Sequence, residues 1–407
     1  MVFVSKVHPA LRLSLLIDSL GAGIFGPMIL LYFHLVAGYP LAEVGGLASA
    51  AATLGLVVPL FAGRLADRFE PRIMVVAGQL IQALGYAGFL VAREPWAIFI
   101  AFVVTAAGLR VFWSTFFTML AALPVPEEGG RERLFAVTGI VQATGFGTGA
   151  LIGGVLVANA SVGIFKIAVI CNVVSFLLGA ALLLRLPIGA KTRHADADVA
   201  PSGLRLLLHN RAFLWLIVVD AGFAICSDAL VVGLPISVKE GGIGYVGVLG
   251  PLLALNTFLI ATTQLFVAKM IGRTSRIRAL VLAGLLWVAW AILMSVLPVF
   301  SLAISSLVLI LLVLLYCVAE MIHAPVANAL AAEAAPAEHR GVYLAAFQYG
   351  FAIANIVVPA AFTALFEVGH AVPWIALAVL AAAATAGAGV VGKFLPAEAV
   401  RPGVVAH

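Results

Sequence analysis

Six ionisable side chains lie deep inside long apolar runs of this chain: Asp18, Arg110, Asp220, Asp228, Glu320 and His323. A charge in such surroundings costs at least about 2.5–3.5 kcal/mol at a bilayer centre, so it faces a protein interior or a wet cavity. The chemistry open to the set is proton uptake and release, ion pairing and attraction of a charged guest. A carboxylate in low dielectric is shifted toward its protonated form, and water on one side lets the proton leave. Asp220 and Asp228 are eight residues apart, close to two helical turns, and so look in nearly the same direction. Glu320 and His323 are three apart, within reach of a shared proton or hydrogen bond. A structural alternative stands beside this for two of them. Asp18 follows Arg12 by six residues and Asp220 follows Arg211 by nine, so each acid could simply pair with that arginine.

Nothing in the residues suggests covalent or metal chemistry. There is no Ser/His/Asp set, phosphate loop or nucleotide-binding motif, and Cys171, Cys226 and Cys317 sit in apolar runs without metal-ligand spacing. The expectation is a non-enzyme with no cofactor and no metal. With no ATP-binding motif, any work would be ion-driven.

The elements that must hold these groups follow from composition. Hydrophobic residues make up 64% of 407 and charged ones 10%, with a mean hydropathy of +1.17. A soluble domain carries about a quarter charged residues. The surplus apolar surface belongs in lipid, where a spanning helix needs about 20 apolar residues. Twelve spans are expected, at 10–37, 43–62, 73–92, 96–122, 134–158, 162–185, 213–237, 243–268, 279–297, 300–330, 342–366 and 372–394. The first carries Asp18 and Pro27 midway and is read as a span rather than a cleaved leader.

The basic pI of 9.3 invites a nucleic-acid partner, but the basic residues are not gathered on a polar domain. Nineteen of the 23 Lys and Arg flank the same side of the expected spans, while only Arg93, Lys166 and Lys239 lie on the other. This bias places both termini in the cytoplasm. The longest polar interval separates six spans from six. The expected domains are therefore residues 1–185, a cytoplasmic linker 186–212 with a short surface helix near 202–209, and residues 213–407. The entrances "RLSLLIDSLGAG" and "RAFLWLIVVDAGFA" echo each other, consistent with paired six-helix halves around a central site.

The charged loop "GRLADRFEPR" resembles the signature loop between helices two and three of the major facilitator superfamily. Gly63, Asp67, Arg68 and Arg72 match it, while Glu70 and Pro71 replace the family's usual Gly and Arg. "DSLGAGIFGPMILLYF" is similar to the first helix of the drug:proton antiporter branch, and Arg110 to the basic residue of the fourth-helix motif. "GFGTGALIGG" resembles the antiporter motif of helix five. Gly145, Gly149, Gly153 and Gly154 match, Ala150 replaces its proline, and Gly-xxx-Gly packing alone would produce the same spacing.

The resemblance implies an all-α integral membrane protein of two six-helix bundles. In that family helices one, four, seven and ten line the central cavity, and those spans hold the buried charges here. The loop residues would latch a gate, with Arg68 and Arg72 tied to facing acids. The second half, lacking the Asp in "AKMIGRTSRIRA", would have no equal latch. Gly145 to Gly154 would let span five pack and slide against a helix of the other half.

The implied function is proton-coupled efflux, by alternating access, of drugs or other amphipathic organic compounds across the plasma membrane. Asp18, Asp220, Asp228, Glu320 and His323 would carry protons and Arg110 would modulate them. The expected lining is Trp113, Phe117, Gln142, Asn256, Gln348, Tyr349 and Asn355, since aromatics with a few amides and acids suit amphipathic or cationic guests. Proton-coupled uptake of a small metabolite and lipid export stay open as alternatives. The expected partners are a small organic substrate, protons and the bilayer, with no nucleic acid, and the chain is expected to be a monomer.

Overall fold

Prolines punctuate the chain where a helix can start without wasting an N–H. Pro9, Pro71, Pro95 and Pro373 each stand in the opening positions of a helix, where the missing donor would be unpaired anyway. Ser161 and Asn210 open two others by accepting from the backbone N–H groups of Ile164 and Phe213. A computed structural model describes residues 8–58, 69–123, 130–158, 161–186, 201–271, 274–336 and 340–401.

The first unit's helices are α1 (Pro9–Phe25), α2 (Ile29–Ala37), α3 (Leu41–Gly55), α4 (Pro71–Val91), α5 (Pro95–Ala122), α6 (Gly130–Ala158) and α7 (Val162–Leu183). After a short α8 (Pro201–His209) come α9 (Arg211–Lys239), α10 (Leu249–Ile271), α11 (Arg276–Val296) and α12 (Leu302–Ala334). The chain continues through α13 (Arg340–Phe347), α14 (Tyr349–Val368), α15 (Val372–Val391) and a final turn, α16 (Ala397–Val400). Among the described residues every regular element is helical, and eleven helical segments are long and apolar enough to cross a membrane. Leu84, Trp96, Phe266 and Val379 are each about two-thirds exposed, as suits side chains that meet lipid rather than water.

Two expected spans are interrupted and one is short. The first span breaks into α1 and α2 at a 3-10 turn, Gly26–Met28, because Pro27 has no N–H to continue the ladder. The eleventh breaks between α13 and α14 at Gln348. The described helix of the second span ends at Gly55, and residues 59–68 lie outside the described set.

The chain divides into two compact units, Met1–Arg193 with Val246–Ala261, and His194–Tyr245 with Thr262–His407. The start of α10 thus packs with the first unit although it follows α9 in sequence. Inside the first unit α1 packs on α6 and α7, while α4 packs on α5 and α7. Inside the second, α9 packs on α14 and α15, while α11 packs on α12 and α15. Counted by span, one–five, one–six, three–six and three–four recur as seven–eleven, seven–twelve, nine–twelve and nine–ten. The same internal order in both units is what a duplicated six-helix design produces.

Apolar burial drives little helix association in lipid, so small residues and close packing do more of it. Gly145, Gly149 and Gly153 recur every fourth residue on one face of α6, and a Cβ at each would collide with the backbone of Leu16, Leu20 and Ile24 in α1. For Gly145, Gly149 and Gly153 this differs from the expected packing against a helix of the other half. Three of the motif's four glycines dock α6 on α1 within their own unit, because positions four apart share one helix face. Gly154 looks elsewhere, onto Gly250 of α10, and Gly147 shares that direction toward Thr257.

Candidate functional site

In the first unit, Asp18 sits midway along α1, nine-tenths buried, and lines a cavity of about 390 Å³. The other walls include Gln82 of α4, Phe112 and Trp113 of α5, Gln142 and Phe146 of α6, and Phe176 of α7. Aromatic faces and two amides thus converge on one carboxylate. Oδ1 of Asp18 is buried and has no hydrogen-bond partner among the described residues. Gln79 of α4 is its polar neighbour, and Asp18 forms no ion pair with Arg12. Behind the cavity, the fully buried amides of Gln79 and Asn172 face Asp18 and Tyr86 respectively, without good hydrogen-bond geometry. Sequence reasoning missed this polar layer. Glutamine and asparagine in an apolar run are a signal of the same kind as a buried acid, only weaker.

The second unit is organised around α9 and α12. Nε2 of His323 lies 2.9 Å from Oδ1 of Asp220, both side chains being at most 2% exposed. A tilted Trp287 and an edge-on Phe223 close round the imidazole, with ring centres 5.1 and 5.3 Å away. Farther along, Ser227 donates to Glu320 Oε1 at 3.2 Å, Tyr316 donates to the carbonyl of Ser227, and Asp228 faces Glu320 as a like charge. The expected Glu320–His323 hydrogen bond is replaced by bonds to other residues, although the two remain close enough to feel each other's charge. Residues three apart on a helix point about 60° away from one another, and each finds a nearer partner on α9. Likewise Asp220 pairs with His323, not with Arg211.

The remaining expected residues scatter. Arg110 is half-buried, its aliphatic stem beside Gly55 of α3. Trp113 and Gln142 line the Asp18 cavity. Asn256, Gln348, Tyr349 and Asn355 do not. Gln348 reaches Asn328 at 3.5 Å, and the exposed Asn355 turns back on its own helix to the carbonyl of Phe351. Gly63, Asp67 and Arg68 of the loop, and the side chain of Phe117, lie outside the described residues.

Arg72 is described, and its partners differ from the facing acids that were expected. It pairs with Glu70 at 3.2 Å, and its Nη1 donates to the carbonyls of Leu184 and Leu186 at 3.2 and 2.5 Å. A guanidinium satisfies carbonyls left unpaired at a helix C-terminus, here that of α7. The second unit repeats the tie. Nη1 of Arg276, opening α11, donates to the carbonyls of Glu398 and Ala399 at 3.4 and 2.6 Å. The two units thus share this tie, made by one of the basic residues that the second loop keeps although it lacks the Asp.

A sequence model described as Major Facilitator Superfamily matches residues 11–359. The chain is 26% identical over 388 residues to "Multidrug resistance protein MdtH" of Cronobacter sakazakii (strain ATCC BAA-894), covering 93% of each. It is 25% identical over 389 residues to the protein of the same name in Salmonella typhi, covering 93% of this chain and 94% of that one. Among solved structures, a mutant of the nucleoside transporter NupG superposes with a TM-score of 0.78 at 11% identity, over 94% of this chain and 98% of that one. A bacterial homologue of the human lysosomal transporter Spinster, inward-facing and unoccupied, gives 0.71 at 14% identity, over 97% and 98%. At these identities the structural likeness is one of fold.

Proposed function

The chain belongs to the major facilitator superfamily, a family of multi-pass membrane transporters, and from that premise we propose that it is a proton-coupled exporter of amphipathic organic compounds, cations foremost. The observation that carries this reading is Asp18. A buried carboxylate oxygen without a partner among the described residues stands in the wall of a cavity that also presents Trp113, Phe112, Phe146 and Phe176. A cationic guest would supply the missing partner, and the rings would hold it through their faces. Relatives named for multidrug resistance support the direction of transport.

Protons would enter through the second unit. Asp220 with His323, and Asp228 with Glu320, are the titratable clusters there, and Arg110 would tune the response in the first unit. Residues 1–185 and 213–407 would act as rocking bundles joined by the linker 186–212. Linker and termini would lie on the cytoplasmic side of the plasma membrane, and the chain would work as a monomer. Gly63, Asp67 and Arg68 would latch the cytoplasmic gate, with Arg72 anchoring that loop to α7.

Proteoliposomes with an imposed pH gradient test the reading. Adding a permanently charged quaternary ammonium dye to acid-loaded vesicles should alkalinise the interior as substrate is exchanged for protons, and protein-free vesicles should show no change. Entry of substrate together with protons would make the protein an uptake symporter. Movement of a labelled phospholipid alone would make it a lipid exporter.

A further inference from the structure

Along the exposed side of the second unit, α9 and α15 leave a groove of about 640 Å³. Arg211, Trp215, Val218 and Gly222 line it from α9, spaced so that they share one helix face, and Ala383, Gly387 and Phe394 face them from the other wall. The groove exists because its floor is made of small residues: Gly222 stands against Ala384, and Gly387 against Val219. Trp215 and Phe394 are 62% and 69% exposed at its rims.

We infer that this groove is a binding site for one anionic phospholipid, its acyl chain lying on the small-residue floor and its phosphate held by Arg211. Length, charge and the rim aromatics all favour this occupant. From Arg211 to Gly222 the α9 wall runs about 16 Å, close to one leaflet of a hydrocarbon core about 30 Å thick. Arg211, at one end, is the one charged side chain among the described lining residues, and a guanidinium matches a phosphate through paired hydrogen bonds. With no acid in the lining to offset it, the field favours a net negative headgroup over a zwitterionic one. Trp215 lies one turn from Arg211, at the level where aromatic side chains meet the membrane interface. The occupant would also bear on transport, since Val219 of the same wall immediately precedes Asp220 and Gly222 lies two residues after it. The proposal does not depend on the exporter reading.

The test is native mass spectrometry of the full-length protein released from nanodiscs of equal parts phosphatidylglycerol and phosphatidylcholine. The intact chain and Arg211→Lys should retain one phosphatidylglycerol in preference to phosphatidylcholine. Retention should fall about tenfold in Arg211→Gln, the loss expected for one charged hydrogen-bonding group. It should also be lost in Ala383→Phe, which fills the groove. Gel filtration and thermal unfolding check that each variant is folded, and Arg211, being exposed, has no part in the core. Equal retention of both lipids, or unchanged retention in both variants, would leave only bulk lipid at this face and overturn the proposal. Displacement of the bound species by inorganic phosphate, or a dimer that Ala383→Phe disrupts, would overturn it as well.

Discussion

His323 on α12 and Asp220 on α9 are joined by a 2.9 Å contact in a site closed to solvent. Removing one member of a buried pair costs about 3–5 kcal/mol, because the other is left without compensation. His323→Ala should therefore lower the thermal midpoint of the detergent-solubilised protein sharply. Asp220→Asn keeps a hydrogen-bonding group in the same volume and should unfold close to the parent. In proteoliposomes it should nonetheless lose transport driven by a pH gradient. Unimpaired coupling in that variant would remove Asp220 from the proton path.

Asp18 makes a separate prediction about guests. Asp18→Asn preserves shape but removes the charge facing the aromatic cavity. Efflux of a permanently cationic dye should fall about tenfold or more, the effect of losing one charge-assisted contact in a buried site. Neutral amphipathic compounds should be affected less. An equal loss for both classes would mean that Asp18 supports structure or protonation, with no direct part in charge recognition.

Two glycines of α6 should respond in opposite ways. Gly149→Leu forces a side chain into the backbone of α1 at Leu20 and should destabilise by about 1–3 kcal/mol. A Cβ added at Gly139 would meet nothing within 4 Å, so Gly139→Ala should be neutral or stabilising by up to about 1 kcal/mol. Thermal unfolding of the two variants side by side distinguishes close packing from mere glycine abundance.

Arg72 and Arg276 open corresponding helices of the two units, and each ties down the carbonyls that follow the unit's last long helix. Arg72→Gln and Arg276→Gln should each cost about 1–3 kcal/mol, the range for hydrogen bonds from a charged group. If the ties act independently the double variant should show the sum. A double-mutant cycle measured by unfolding gives the coupling directly.

The long apolar runs were legible because lipid imposes one rule on every span: backbone groups must be satisfied within the helix, over enough residues to cross. The position of α9, expected at 213–237 and found at Arg211–Lys239, and its buried acids follow from that local rule and from residue type. Pro27 marks a break that residue type signals only in part, since its effect depends on whether neighbours let the ladder resume. Partnership was not legible. Glu320 and His323 are neighbours in sequence, yet His323 turns to Asp220 and Glu320 to Ser227, 103 and 93 residues away.

Sequence alone thus determined the class, the helices and the identity of the unusual charges, because hydropathy and helical pitch act over short stretches of chain. Only the tertiary structure decided which of them meet. That choice rests on how α1, α6 and α7, or α9 and α12, happen to pack. A change of helix rotation too small to alter any local pattern would hand Asp18 or His323 a different neighbour.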